Sequence, residues 1–208
     1  MKILFAILSF VISYLIGSVM FGVIISKQLM KQDVRTVGSK SAGMTNVLRN
    51  YGKWPAVLTA IGDFAKGLFA VYISRIICTS TGATDYVMAG FIGAWGVLLG
   101  HAFPLFFQFH GGKGVMTGFA AIIMLDWKIA VIAFSVFLIV VALTRYVSLG
   151  SILAAITFPV ASLIAKRAIF PNVLGGVIVA AFVVYLHRAN IVRLAKGEES
   201  KLGNKRKG

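Results

Sequence analysis

Acidic residues, histidine and cysteine are scarce in this chain of 208 residues, and each shortage excludes a kind of site. There are 6 Asp and Glu, 3 His and 1 Cys. The single cysteine, Cys78, cannot form a disulfide within the chain. So few carboxylates and imidazoles provide neither a Cys/His cluster nor an acidic metal-binding set, and we expect no metal and no cofactor.

Several common catalytic patterns are also missing. There is no nucleophile elbow. The His-x4-Asp pattern of the common acyl-CoA acyltransferases is absent, because the residues five positions after the histidines are Phe106, Val115 and Val192. The glycine-flanked lysine at 111–114 is not a Walker A loop, which needs Ser or Thr where Gly114 stands. The chain is rich in groups that donate hydrogen bonds to anions and poor in catalytic bases. This favours substrates that carry a phosphoryl group and are themselves chemically activated.

Apolar residues dominate what is present. They make up 59% of the chain, with a mean hydropathy of +0.90, which predicts an all-α polytopic membrane protein. The first apolar stretch is too long for a signal peptide, and we expect it to be retained. Against the ~20 residues that a crossing needs, hydropathy predicts seven transmembrane helices, the fourth of them short, at 3–25, 55–77, 87–107, 115–125, 129–144, 150–165 and 172–186.

Basic residues segregate between the loops. The formal net charge of +15 does not require a nucleic-acid partner, because the positive-inside rule explains it. If the loop 26–54 is cytoplasmic, 15 of the 21 Lys and Arg lie on that side. We therefore predict an outside N-terminus and a cytoplasmic C-terminus, with a membrane domain at 1–193 and a basic, disordered tail at 194–208.

The first of three glycine-punctuated basic segments spans 37–49 and is predicted to be cytoplasmic. Its polar and glycine positions are Gly38, Ser39, Gly43, Thr45, Asn46 and Arg49. Glycines let successive N–H groups form an anion-binding concavity, and Arg49 supplies a bidentate phosphate clamp. The alternative is an ordinary solvated loop before a capped helix.

The second segment runs from His101 through a phenylalanine-rich stretch to Gly111, Gly112, Lys113 and Gly114. A glycine-flanked lysine beside aromatic rings at the membrane boundary suits a phosphate carried by an acyl chain. The rings would lie along the chain and Lys113 would meet the phosphate. An interfacial aromatic belt with a snorkelling lysine is the alternative.

The third segment, 187–193, follows the last predicted span. On a continuing helix His187, Asn190 and Ile191 would share a face, while Arg188 points elsewhere. Phosphate binding by His187 is easier to support than general-base catalysis. The stretch from Arg145 to Ser151 is either a simple positive-inside turn or a source of further hydroxyl donors.

Two opposite charges lie inside a predicted span. Asp63 and Lys66 are three residues apart, so an intrahelical pair lowers the cost of burying them. Intramembrane charges are functional by default, and we weigh a supporting role in the site evenly against a purely structural pair.

Together these motifs resemble those of the bacterial acyl-phosphate:glycerol-3-phosphate acyltransferases, the PlsY family, over nearly the whole chain apart from its tail. The combination is Gly-x-Thr-Asn-x-x-Arg at 43–49, Gly-His-x-x-Pro-x-Phe at 100–106 before Gly-Gly-Lys-Gly, and His-Arg-x-Asn-Ile-x-Arg-Leu at 187–194. The resemblance implies a seven-helix fold with a cytoplasm-facing groove in the bacterial cytoplasmic membrane. We expect a monomer surrounded by membrane lipid.

The resemblance also implies an activity and a set of site residues. An acyl group passes from acyl phosphate to the 1-hydroxyl of glycerol 3-phosphate, giving lysophosphatidic acid in the first step of phospholipid synthesis. Because acyl phosphate is a mixed anhydride with a good leaving group, no covalent enzyme intermediate or metal is needed. The family's phosphate-recognition positions correspond to Ser39, Arg49, Lys113, Ser148 and His187, with Thr45, Asn46, Arg188 and Asn190 around them.

Some points stay open at this stage. The proton acceptor is a substrate phosphate oxygen, His187 or Asp63, and apolar walls near Phe103–Phe109 are expected to set the acyl length. The chain departs from the family pattern at Lys40-Ser41, where Gly-Asn is usual, and at His110, where a basic residue is common; both bear on loop geometry and binding strength. The rival classes are an organic-phosphate transporter, which would also place basic residues near a broken helix, and a non-catalytic assembly protein.

Overall fold

The computed structural model describes residues 1–165 and 170–203. All regular secondary structure in these two ranges is helical. The chain forms two compact units that divide between Leu125 and Asp126. The membrane domain over 1–193 stays a prediction. Lys166, Arg167 and residues 204–208, which entered the charge prediction, lie outside the described residues.

The first unit contains six α-helices and two short 3-10 turns. The helices are α1 (Lys2–Gly17), α2 (Phe21–Met30), α3 (Met44–Tyr51), α4 (Lys53–Ser80), α5 (Tyr86–Ala102) and α6 (Val115–Leu125). The turns, Val34–Thr36 and Leu105–Phe107, lie in the two loops that carry the first and second motifs. These loops therefore belong to the same unit.

Helix α1 runs antiparallel to α4 and is tied to it by buried hydroxyls. Ser9 Oγ donates to Ser74 Oγ at 2.8 Å, and Ser13 Oγ donates to the Ala70 carbonyl at 3.4 Å. Small residues let α1 approach α5 closely, since a Cβ on Gly100 would meet the α1 backbone. Such small-residue contacts and interhelical hydrogen bonds are the means by which helices associate in lipid, where the hydrophobic effect offers no drive.

The sequence predicted one helix over 3–25, but the chain breaks between α1 and α2. The break exposes backbone groups that lipid cannot satisfy. Lys66 Nζ donates to the Val19 carbonyl at 2.7 Å, and Ser18 Oγ accepts the N–H of Leu105 at 3.2 Å. Both partners come from other segments of the unit, which is why local spacing did not indicate the break.

The second unit contains α7 (Trp127–Thr144), α8 (Val147–Ile164), α9 (Phe170–Leu186) and α10 (Arg188–Ala195). Asp126 caps α7 by accepting the N–H groups of Lys128 and Ile129 at 3.0 and 3.3 Å. Arg145 ends this helix with a φ of 62°. The turn that follows leads directly into α8.

Five segments of the described chain are long and apolar enough to cross a membrane. They are Lys2–Met30, Lys53–Ser80, Tyr86–Phe107, Trp127–Thr144 and Val147–Ile164. A sixth arises if the described part of α9 and α10, which are bent by 61° at their junction, count as one span. Helix α6 has 11 residues, which gives about 16 Å against the ~30 Å hydrocarbon core. The helices lie where hydropathy predicted them, while seven crossings and their orientation stay predictions.

The beginning of the predicted disordered tail is ordered. Helix α10 extends to Ala195, and the Glu199 side chain is buried against hydrogen-bond donors of its own unit. Leu202 N–H donates to the Arg145 carbonyl at 2.7 Å. The low apolar content predicted disorder, but buried polar contacts hold residues 194–203 instead.

Candidate active site

The first motif is organised around a buried amide. Asn46 Oδ1 accepts the backbone N–H of Ser39 at 3.0 Å. Its Nδ2 shares hydrogens with the carbonyls of Val34 at 3.0 Å, Val37 at 3.1 Å and Ser41 at 2.9 Å. Asn46 is 2% exposed, and its hydrogen bonds position the loop that holds Ser39.

The other members of this motif surround that amide. Gly38 has a φ of 57°, and a Cβ there would meet the side chains of Asn46 and Asn50, so glycine is required for two reasons. Ser39 is exposed, and Arg49 on α3 is half-buried. Gly43 and Thr45 lie at the start of α3, partly exposed.

The second motif folds back onto the end of α5. Gly112 N–H donates to the His101 carbonyl at 3.0 Å, and a Cβ on Gly112 would clash with the His101 ring. The Gly111 carbonyl accepts the backbone N–H of Ala42 at 3.4 Å, which joins this loop to the first motif. Lys113 lies half-buried next to Gly114, whose φ is 71°.

A buried polar cluster lies under these loops. Lys66 Nζ is 2.9 Å from Asp63 Oδ1, and His101 Nδ1 is 3.6 Å from the same oxygen. Thr117 Oγ1 donates to the Asp63 carbonyl at 3.0 Å and lies 3.3 Å from His101 Nδ1. Because the hydroxyl has one hydrogen, His101 Nδ1 is the donor in the second contact. The intrahelical pair predicted from the sequence is therefore part of a larger tertiary cluster.

An open, almost wholly apolar groove of about 720 Å³ begins at this cluster. Lys66, Val19 and Phe21 lie side by side at this end of the groove, because Lys66 Nζ donates to the Val19 carbonyl in the break between α1 and α2. The groove then follows α4 past Phe69 to Tyr72. From Lys66 to Tyr72 it covers about 9 Å at 1.5 Å per residue.

In the second unit, the third motif lies at the bend between α9 and α10. His187 is 2% exposed, and its Nδ1 lies 2.8 Å from the Val183 carbonyl. A carbonyl only accepts, so Nδ1 carries a hydrogen. The helix does not continue straight through this motif: α9 and α10 are bent by 61° at their junction, and His187 and Asn190 are buried while Ile191 is exposed.

A carboxylate gathers the remaining polar groups of this unit. Glu199 Oε1 accepts from Ser148 Oγ at 3.0 Å and from Asn190 Nδ2 at 2.8 Å, and Oε2 accepts from Arg193 Nε at 2.7 Å. Burial raises the pKa of Glu199, but these three hydrogen bonds outweigh it and leave the pKa below its usual 4.5. Asn190 Oδ1 is buried without a hydrogen-bond partner in the described chain, so it is able to accept a hydrogen from a ligand.

Two predicted site residues are engaged elsewhere. Arg188 is exposed, donates to the Tyr185 carbonyl at 3.1 Å and stacks 4.4 Å from the Tyr185 ring centre. Arg145 donates to the Leu202 carbonyl through Nε at 3.1 Å and Nη2 at 2.8 Å. Arg145 thus holds the C-terminal segment.

Comparison with known proteins identifies the family. The sequence model described as glycerol-3-phosphate acyltransferase matches residues 7–197. The chain belongs to the glycerol-3-phosphate acyltransferase family. It is 41% identical to a glycerol-3-phosphate acyltransferase of Carboxydothermus hydrogenoformans over 97% of this chain and 99% of that one. It is 39% identical to one of Clostridioides difficile over 99% and 100%.

The fold of this acyltransferase is similar to a solved one. The crystal structure of PlsY (YgiH), an integral membrane glycerol 3-phosphate acyltransferase, in its glycerol 3-phosphate form, superposes with a TM-score of 0.84 at 35% identity, covering 95% of this chain and 96% of that one. Its lysophosphatidic acid form gives 0.81 at 34% identity over 95% of each. The protein is therefore an integral membrane acyltransferase.

Sequence reasoning about this acyltransferase missed two structural carboxylates. Asp33 pairs with Arg35, whose Nη1 donates to the carbonyls of Phe107 at 2.8 Å and His110 at 3.1 Å. The hydrogen bonds from Arg35 lower the pKa of Asp33 from 3.8 to about 2. Glu199 was overlooked because it lies in a polar stretch. Because the chain has so few acidic residues and many basic ones, each carboxylate could have been predicted to form an ion pair with a nearby arginine or lysine.

The phenylalanine run of this acyltransferase, predicted to contact the acyl chain, lies apart from the apolar groove. Phe103, Phe106 and Phe109 are exposed and do not line the groove. The apolar surface lies instead along α4 and the break after α1. An aromatic run marks a membrane boundary, but the groove is built from residues on four helices, α1, α2, α4 and α6, that no local pattern connects.

Proposed function

We propose that the protein transfers an acyl group from an acyl phosphate to the 1-hydroxyl of glycerol 3-phosphate, giving lysophosphatidic acid and phosphate without a covalent enzyme intermediate. The solved relatives in glycerol 3-phosphate and lysophosphatidic acid forms support the acceptor and the product. The assignment of acyl phosphate as the donor rests on the geometry of the first unit.

One observation carries the donor assignment. An apolar groove starts at the Asp63–Lys66 pair, and through His101 this pair is one side chain away from Gly112 of the glycine-lysine loop. A ligand with a phosphate at one end and an alkyl chain at the other matches this change from anion donors to apolar wall. An acyl phosphate has this form.

The proposal divides the roles among side chains and main chain. Ser39, Arg49 and Lys113 of the first unit, with nearby backbone amides, neutralise phosphate charge and align the hydroxyl. Ser148 and His187 of the second unit take phosphate-recognition roles, on the strength of the motif correspondence. Asn190 Oδ1, buried and without a partner in the described chain, accepts a substrate hydrogen.

The chemistry needs little beyond positioning. The 1-hydroxyl oxygen forms a bond to the acyl carbon, and the bond from that carbon to the phosphate oxygen breaks. Phosphate leaves with the electron pair, and the hydroxyl proton passes to a phosphate oxygen of a substrate. Catalysis is therefore alignment and charge stabilisation, without acyl transfer to the protein.

The test is an assay of the purified protein in lipid with palmitoyl phosphate and glycerol 3-phosphate, without added metal. Equal amounts of lysophosphatidic acid and phosphate are expected. A parallel reaction with palmitoyl-CoA should give no product. Product from palmitoyl-CoA alone would overturn the donor assignment, and uptake of glycerol 3-phosphate into proteoliposomes without conversion would favour a transporter.

The proposal includes seven crossings of the bacterial cytoplasmic membrane, with the N-terminus outside and the protein acting as a monomer. In a Cys78→Ser background, Lys31→Cys places a single thiol at the C-terminal end of α2 and Ser80→Cys places one at the C-terminal end of α4. The proposed topology puts these two ends on opposite sides of the membrane. An impermeant thiol reagent applied to intact cells should label Ser80→Cys and spare Lys31→Cys. The reverse pattern would invert the topology.

A further inference from the structure

Lys40 has a strained backbone in the loop of the first motif. Its φ is 57°, in the left-handed region that glycine adopts freely and that is costly for a residue with a Cβ. Its N–H donates to the Val37 carbonyl at 3.0 Å, which closes the turn that contains Ser39. Lys31 and Arg145 also have a positive φ, but each ends a helix, where this conformation is common and a positive charge is favourable. Lys40 ends no α-helix, so helix termination does not explain its conformation.

The ammonium of Lys40 is an exposed charge that no carboxylate neutralises. Its side chain is exposed, and it forms no ion pair with a carboxylate of residues 1–165 or 170–203. Other cations of the first unit are neutralised within the fold, since Lys66 pairs with Asp63 at 2.9 Å and Arg35 pairs with Asp33 at 2.8 Å. Backbone strain at an exposed cation of the candidate site indicates a functional role.

The proposed reaction places two phosphate groups near this loop. At pH 7 each carries about −1.5 to −2 charges, so the two together bring about three to four negative charges. The proposal assigns Arg49 and Lys113 of the first unit to them. The loop of Lys40 meets the glycine-lysine loop where Ala42 N–H donates to the Gly111 carbonyl at 3.4 Å. A third cation at this place offsets the repulsion between the two phosphates.

We infer that Lys40 is a further binding residue for the phosphate of glycerol 3-phosphate. The inference rests on the proposed function. Glycerol 3-phosphate arrives from water, to which Lys40 is exposed, whereas the proposed acyl phosphate is held by its alkyl chain in the apolar groove. The flexible four-carbon stem lets the ammonium reach the phosphate as a point charge. Lys40 takes part in binding and not in bond formation, so KM depends on it and kcat does not.

Two substitutions separate the charge of Lys40 from its strain. Lys40→Met removes the charge and keeps the strained φ, whereas Lys40→Gly removes both. Each should raise the KM for glycerol 3-phosphate about fivefold, with kcat and the KM for palmitoyl phosphate unchanged. Lys40→Arg should keep the wild-type KM. Lys40→Gly should also unfold at a higher temperature than Lys40→Met, because glycine adopts a φ of 57° without strain.

Lys31 provides the matched control. It is exposed and has a φ of 56°, so Lys31→Met and Lys31→Gly make the same two changes outside the motif and should leave both KM values at wild type. An unchanged KM for glycerol 3-phosphate in Lys40→Met, or an equal rise in Lys31→Met, would overturn the inference. A rise in the KM for palmitoyl phosphate alone would also overturn it, since the ammonium would then bind the other phosphate.

Direct binding of glycerol 3-phosphate separates this inference from the proposed function. Titration calorimetry of the purified protein in detergent should give a Kd about fivefold higher for Lys40→Met than for wild type, whichever acyl donor the enzyme uses. An unchanged Kd would overturn the inference. A wild-type protein that makes no lysophosphatidic acid from palmitoyl phosphate would instead overturn the proposed function.

Discussion

The amide of Asn46 holds the first motif from its centre, since its Oδ1 accepts the N–H of Ser39 at 3.0 Å while its Nδ2 faces three loop carbonyls. Asn46 is thus a buried support, and Ser39 is an exposed member of the motif. This arrangement separates positioning from ligand contact within one short segment.

Replacing Asn46 by Asp should disable this loop. The carboxylate is the same size but cannot donate, so it would oppose three carbonyl oxygens and leave them unpaired. We expect the KM for glycerol 3-phosphate to rise about tenfold or more and the unfolding temperature to fall. Steady-state kinetics and thermal unfolding in detergent measure both. Gln28→Glu, the same change of an amide to an acid at an exposed position of α2, should have a clearly smaller effect, and equal effects would contradict the role of Asn46.

Lys113→Met should abolish activity at unchanged stability. The lysine is half-buried between Gly112 and Gly114, and methionine keeps the length of the side chain while removing the charge that the proposal assigns to phosphate. A loss in kcat/KM of about 100-fold or more is expected. The control is Lys128→Met at the start of α7. A fully active Lys113→Met protein would refute the phosphate role.

Filling the apolar groove should affect the acyl donor alone. Ala65 lines the groove on α4, and Ala65→Trp would occupy space that the proposal gives to the acyl chain. Overpacking of about 1–3 kcal/mol predicts a rise of about tenfold in the KM for palmitoyl phosphate. The KM for glycerol 3-phosphate should stay the same. Ile61→Trp, exposed on the same helix but outside the groove, serves as the control, and matching effects of the two variants would exclude the groove as the acyl site.

Glu199→Ala should destabilise the second unit together with the residues of that unit to which the proposal assigns phosphate recognition. Ser148, Asn190 and Arg193 all donate to this carboxylate. Loss of charged hydrogen bonds costs about 2 kcal/mol or more. Thermal unfolding in detergent and kcat should both fall, whereas Glu198→Gln, exposed one residue earlier, should change neither. Unaltered stability of Glu199→Ala would show that the carboxylate is dispensable.

Helix positions followed from the sequence because hydropathy is a local signal. The predicted span 55–77 lies inside α4, Lys53–Ser80, and the Asp63–Lys66 pair followed from helical spacing. The break before Phe21 did not follow, since the Val19 carbonyl is satisfied by Lys66, 47 positions away. Contacts between distant residues have no periodicity that a single sequence reveals.

The candidate site also has features that the local sequence predicts and features that depend on the fold. Glycine, hydroxyl and basic residues indicated an anion site because their chemistry is intrinsic to each residue. Which of them support the site and which contact a ligand depends on burial, and burial depends on the fold. His101 begins the segment that was predicted to meet phosphate, and it is 2% exposed between Asp63 and Gly112. Its place suits positioning of the glycine-lysine loop.

The Asp33–Arg35 pair predicts how the first unit responds to acid. Arg35 hydrogen bonds lower the pKa of Asp33 from 3.8 to about 2, so the folded state binds the proton less tightly than the unfolded chain does. The pair's contribution to stability is therefore complete above pH 3.8 and is lost as the pH falls toward 2. Arg35 also donates to the Phe107 and His110 carbonyls. Loss of the ion pair with Asp33 therefore also loosens the loop that carries Lys113.

Asp33→Asn should lower the unfolding temperature at pH 7 and give a flatter dependence on pH between about 4 and 2. Thermal unfolding in detergent across this range measures it, with Glu198→Gln as a control whose curve should run parallel to wild type. A parallel curve for Asp33→Asn would mean that another carboxylate governs the acid response.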